Sequence, residues 1–174
     1  MTATTRIRAW RRSAVAAAAV LAAAALPADV AARPVLGGTL VMGRSVAGVR
    51  LGMGAPELRR RLGPPVHRSG AVLEYGRGLA RLFDVVVDAR GRVAQVLFSP
   101  AGFRVARGPR LSSRGALAAI AGRWHLALVA SVDLQPVFRA SARVAGRLTF
   151  TEFQADRPAI TGRVRIVTLR YANS

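Results

Sequence analysis

Asp84 and Asp88 stand four residues apart on one face of a strand-like run, a placement in which two carboxylates could divide acid–base work on a glycan. A plainer account is available for each. Asp88 opens the turn Asp88-Ala-Arg-Gly91, and Asp84 can pair with an arginine across a sheet. The other titratable groups are sparse. His67 follows two prolines and reads as an exposed loop residue, while His125, beside Trp124, reads as a strand-entry residue. Neither has metal-type spacing to further ligands. Ser113, His125 and Asp133 can be drawn as a triad, yet no Gly-x-Ser-x-Gly elbow or oxyanion loop accompanies them. The sequence therefore assigns no catalytic residue, no metal ligand and no cofactor. An exported hydrolase of unrecognised type is the alternative, and a structural exported domain without a specific ligand is a further one.

Contact chemistry is better represented. Between Asp88 and Asp133 there is no acid, while Arg90, Arg92, Arg104, Arg107, Arg110, Arg114 and Arg123 intervene. Phe103 lies in this stretch beside Arg104 and Arg107, and an aromatic residue flanked by arginines suits a contact surface. The binding surface expected from sequence is thus Phe103, Arg104, Arg107, Arg110 and Arg114, with packing under the loop as the competing fate of Phe103.

The whole chain of 174 residues carries 27 basic residues against 8 acidic ones, and every basic residue is arginine. A genome rich in arginine codons would also produce this bias. Without lysine, Walker-type phosphate loops, Schiff-base enzymes and lysine-activated serine nucleophiles are excluded. Without cysteine there is no disulfide and no lipid anchor of the bacterial lipoprotein kind, so a core must hold the fold.

The first thirty-two residues predict an export signal. Arg6, Arg8, Arg11 and Arg12 precede an alanine-rich apolar block, Ala14 to Leu26, followed by small residues at Val30-Ala31-Ala32. Arg11-Arg12 suits a twin-arginine route, and the general secretory route is equally compatible. Cleavage near Ala32 would leave a chain of about +16 outside the cytoplasm, since residues 1–32 carry four arginines and Asp29. An uncleaved N-terminal anchor is the alternative. The expected partners are then an envelope protein or an anionic envelope polymer, with nucleic acid set aside for an exported chain. Contact with a membrane is expected only through the signal segment or weak electrostatics.

The elements that would position these residues read as an α+β fold, short helices on an antiparallel sheet. Residues 33–45 form an extended leader that adds an edge strand through Thr39-Leu40-Val41-Met42, and order begins at Val46. Pro56 and Glu57 start a helix that Gly63-Pro64-Pro65 stops. After irregular residues 66–70 come strands at Val72–Tyr75, Leu79–Val87 and Val93–Phe98, closing a unit over 46–100. A second unit over 109–174 opens with a Ser112-Ser113 cap and a helix through Leu117, Ile120 and Ala121 to Gly122. Strands follow at His125–Val132, Val137–Val144, Leu148–Phe153 and Gly162–Tyr171. Arg50-Leu51 and Arg110-Leu111 each precede a helix and then strands, at an offset of about sixty residues, the pattern of two degenerate tandem helix-plus-meander units.

Within the first unit, Ala47-Gly-Val-Arg-Leu-Gly-Met-Gly54, then Leu62-Gly63-Pro64-Pro65, Leu73-Glu-Tyr75 and Gly91-Arg-Val-Ala-Gln-Val96 together resemble the helix-then-meander unit of BamE/SmpA envelope proteins and of β-lactamase-inhibitor-like secreted proteins. The resemblance covers Val46 to Phe98. Gly54 departs from the usual Ser or Thr helix cap, and the missing anchor cysteine argues against a BamE-type outer-membrane role. What the resemblance implies is a scaffold that binds proteins and does no chemistry; no binding residues come with it.

Overall fold

Residue types around Pro56 dictate the first helix, α1 (Ala55–Leu62). Gly54 enters extended, Pro56 occupies the first turn, Glu57 complements the positive end, and Gly63, at φ 80°, ends the helix by donating its N–H to the Arg59 carbonyl. Leu58 is buried and Leu62 packs on the core, so Arg59, Arg60 and Arg61 are left exposed. The second helix, α2 (Ala116–Ala121), begins otherwise than expected. Its cap is Gly115 in the left-handed region, with no side-chain bond, whereas the Ser113 hydroxyl donates to the Arg110 carbonyl at 2.6 Å. Ser113 braces the preceding loop instead of capping the helix.

The computed structural model describes residues 35, 37–76, 81–132 and 135–173. The expected signal or anchor over residues 1–32 lies outside them, as do Asp133 and Leu79. Among the described residues no helix is long and apolar enough to cross a membrane. Before α1 come β1 (Gly38–Val41), β2 (Ser45–Val46) and β3 (Val49–Arg50). Between the helices lie β4 (His67–Ser69), β5 (Val72–Glu74), β6 (Phe83–Val87), β7 (Val93–Phe98) and β8 (Phe103–Val105). After α2 follow β9 (Ala127–Val132), β10 (Gln135–Val144), β11 (Arg147–Ala155) and β12 (Val164–Tyr171).

These strands form two sheets. The larger is antiparallel, in the order β4-β5-β6-β7-β12-β11-β10-β9, two four-stranded meanders whose last strands meet at the centre. The smaller has the order β3-β2-β1-β8, with β1 parallel to β8. Two expectations are corrected here. Residues 38–41 are an inner strand of the small sheet, not an edge strand on a leader, because Leu40 is fully buried and the Thr39 and Leu40 carbonyls bond the N–H groups of Ala47 and Ala106. Residues 67–69 are not irregular either; they pair with β5 as the sheet's polar edge.

One face of the large sheet is apolar. Phe83, Val85, Val93, Val96, Phe153 and Val167 join Leu58 and Ile120 of the helices and Leu40, Val46 and Val105 of the small sheet in a single core. Gly43 marks how closely the layers approach. It is buried at φ 69°, its N–H donates to Thr151 Oγ1 at 2.9 Å, and a Cβ there would lie 2.5 Å from that of Ala142. The opposite face of the sheet is half-buried and polar. Across seven strands, His67, Glu74, Asp84, Leu97, Thr168, Glu152 and Arg139 stand in one cross-strand row.

Candidate anion-binding surface

Strand alternation decides which residues of the arginine-rich segment reach solvent. In β8, Phe103 and Val105 point inward and Arg104 outward; beyond the turn, Leu111 is buried between exposed Arg110 and Ser112. Phe103 is only 2% exposed, stacked on Phe83 with centroids 5.9 Å apart and lying 4.6 Å from the Phe98 ring. Of the two fates open to Phe103 the structure gives packing, which removes it from the expected contact surface: it is a core anchor that fixes the strand carrying Arg104. Arg104, Arg107, Arg110 and Arg114 are all exposed.

The turn between β8 and α2 is tight and specific. The Val105 N–H donates to the Pro109 carbonyl and the Leu111 N–H to the Phe103 carbonyl, both at 2.9 Å, and these bonds flank an antiparallel bridge between Arg104 and Arg110. Those two arginines are therefore a non-hydrogen-bonded pair, the arrangement with Cα atoms about 4.5 Å apart and side chains closest together. On the other flank β1 pairs Thr39 with Arg104. Thr39, Arg104 and Arg110 thus form one outward row, with Ser112 two residues on. The row lines a cleft of about 420 Å³ floored by Gly38 and Gly102. None of Arg104, Arg107, Arg110 and Arg114 forms an ion pair with a carboxylate among the described residues. Arg107 instead offers its carbonyl to the Arg123 guanidinium, which also lies 5.4 Å over the Trp124 ring.

Other charged groups are arranged differently. Glu152 sits between Arg139, at 2.6 Å, and Arg170, at 3.0 Å. Burial works against its charge, but the hydrogen bonds from Arg170 and Arg139 outweigh that and hold its carboxyl below the ordinary range. Asp84 stands opposite Glu74 and among the described residues pairs with no arginine, unlike the expected ion pair; burial first, and the neighbouring carboxylate second, push it up. Asp88 behaves as the turn residue foreseen, accepting the Arg92 and Arg90 N–H groups at 2.9 Å, chiefly the former lowering its pKa. Asp88 is thus committed to its turn, the plainer of the two accounts open to it. His67 and His125 are both exposed, and among the described residues no three His, Asp or Glu side chains group to hold a metal.

A larger cavity of about 570 Å³ is lined by Arg44, Ser45, Arg50, Glu57, Thr149 and Tyr171, among others. It contains its own counter-charge, since Arg50 bonds Glu57 at 2.6 Å. Sequence reasoning found Arg104 and Arg110 but missed Thr39 and Ser112. The in-out alternation Phe103-Arg104-Val105 was a usable signal for burying Phe103; the pairing of β1 with β8, some sixty-five residues apart, had none.

No protein-family model matches the chain, and no curated protein does. Among solved structures the fold is similar to that of YjgB, a DUF4309 family protein from Bacillus subtilis subsp. subtilis str. 168, at 13% identity and a TM-score of 0.45. The similarity spans 72% of this chain and 84% of that one, and at this level it carries no argument about function.

Proposed function

We propose that the protein is an exported, non-catalytic binding module that presents Arg104, Arg107, Arg110 and Arg114 to an anionic polymer or acidic protein of the cell envelope. The observation that carries this reading is that the four arginines are exposed and lack a carboxylate partner among the described residues. Elsewhere Glu57 pairs with Arg50, Glu152 with Arg139 and Arg170, and Asp156 with Arg157 and Arg165. A like-signed patch of this kind raises the local concentration of anions and speeds encounter. The export signal read in residues 1–32 supplies the compartment, in which wall polymers and lipid headgroups are the available anions.

The resemblance to BamE/SmpA and β-lactamase-inhibitor-like proteins belongs to the same reading. In its support, α1 is followed by the meander β4–β7 and α2 by the meander β9–β12, the succession expected of two degenerate tandem units. Both helices pack on the same core, which leaves the loop and turn surfaces free for contact.

The test is retention of the 33–174 fragment on isolated cell walls and on phosphatidylglycerol vesicles at rising salt. Retention should be strong at low ionic strength, fall as the Debye length shortens, and drop at least tenfold on replacing the four arginines by alanine. Absence of binding at low salt, or indifference to those replacements, would remove the reading.

A further inference from the structure

We infer that the cleft between β1, β8 and residues 110–112 is a phosphate subsite, with the Arg104 and Arg110 guanidinium groups as its clamp. The inference rests on the cationic-surface reading above and names the group that the surface takes.

Three observations converge on it. The backbone bonds flanking Arg104 and Arg110 hold the two residues directly opposite each other, where like charges destabilise the strand pair unless something neutralises them. Nothing among the described residues does so. The protein shows elsewhere what satisfies two arginines in this setting: Glu152 accepts from Arg139 and Arg170 together. A second guanidinium pair, open to solvent and without a carboxylate among the described residues, is free to take an anion brought from outside.

The lining then selects the anion. Two guanidinium groups supply two positive charges and paired donors in fixed forks, and the Thr39 and Ser112 hydroxyls add two rotatable donors. A phosphate monoester carries about −1.5 to −2 at neutral pH with three strong acceptor oxygens. That matches both the charge and the donor count. A carboxylate can bridge two guanidinium groups, as Glu152 does, but it brings one charge against two and leaves the Thr39 and Ser112 hydroxyls without an acceptor. The floor is made of Gly38 and Gly102, and the Gly38 N–H is already used on the Gly102 carbonyl at 3.1 Å, so binding falls to the side chains above. At about 420 Å³ the cleft holds more than one phosphate group.

The experiment is calorimetric titration of the 33–174 fragment at low ionic strength with inorganic phosphate, linear polyphosphate and acetate. Phosphate should bind saturably and at least tenfold more tightly than acetate, and a tighter polyphosphate endpoint would identify the polymer as the preferred source. Arg104→Ala and Arg110→Ala should each weaken phosphate at least tenfold. Arg104→Lys, which keeps charge but loses the fork, should fall between, and Arg60→Ala on the exposed face of α1 should stay within twofold. Near-UV circular dichroism checks that the variants remain folded. Equal phosphate affinity in Arg104→Ala, Arg110→Ala and the parent overturns the subsite, as does acetate binding as well as phosphate. Salt-dependent wall retention without saturable phosphate binding sinks the subsite and leaves the cationic surface standing; saturable phosphate binding without wall retention does the reverse.

Discussion

Two pairs of arginines among the described residues differ in one respect: Arg139 and Arg170 have a carboxylate between them, and Arg104 and Arg110 have none. On the open face of the large sheet, Glu152 lies between Arg139 and Arg170, all three largely shielded, with side-chain exposures of 14%, 27% and 20%. On the small sheet Arg104 and Arg110 stand opposite one another, exposed and uncompensated among the described residues. The difference teaches where the acids have been used. A chain with 8 acidic residues against 27 arginines can neutralise few cations. Glu152 is placed where uncompensated charge costs most, since desolvated charges need partners more than solvated ones do.

The largest effect follows from removing that carboxylate. Glu152→Ala leaves two guanidinium groups shielded without a counter-charge, and should lower stability by about 2–3 kcal/mol, between the values for exposed and fully buried pairs. Urea denaturation read by tryptophan fluorescence measures it; a loss near zero would mean that the two arginine pairs are energetically alike. The converse change supplies what the other pair lacks. Thr39→Glu sets a carboxylate beside Arg104 in the cross-strand row, so it should raise stability by about 0.2–1 kcal/mol while weakening phosphate binding. A gain in stability with phosphate affinity intact would separate the charge pair from the ligand site.

The smallest effect concerns the carboxylates themselves. Asp84 is pushed up in the folded state, so its ionised form costs stability at neutral pH, and that cost disappears as pH falls through its folded pKa. Glu152 is held down, so its contribution is present at neutral pH and is lost as pH falls through the acidic range. Asp84→Asn should therefore stabilise the protein by about half a kcal/mol at pH 7, with no gain below the ordinary aspartate range. Thermal unfolding of parent and variant across pH 3–8 reads both slopes.

Local chemistry made much of this fold legible in advance. Pro56, Glu57 and Gly63 announced α1, Asp88 and Gly91 announced the turn before β7, and β-branched runs located β7, β10, β11 and β12 to within a few residues. What escaped was set by long-range pairing. The strand at 38–41 reads as an edge strand on an extended leader, and its inner position escaped because its partners, β2 and β8, are identifiable only in three dimensions; His67-Arg68-Ser69 has too little β character to be seen without β5 beside it. The site was half visible for the same reason. Charge counting finds Arg104 and Arg110, whereas the positions of Thr39 and Ser112 beside them, and of Phe103 beneath, depend on which face of a three-residue strand turns inward.

The junction of the two meanders bears on how the chain comes to its final state. Only four residue pairs, Gln95–Phe98 against Val167–Arg170, join β7 to β12, and they bring together stretches separated by about seventy positions. As the polypeptide emerges from its N-terminal side, β7 stays an unsatisfied, valine- and phenylalanine-bearing border until nearly everything downstream has been made. An intermediate lacking β12 would present two raw borders at once, those of β7 and β11, so the last strand to be made is the one that closes the sheet.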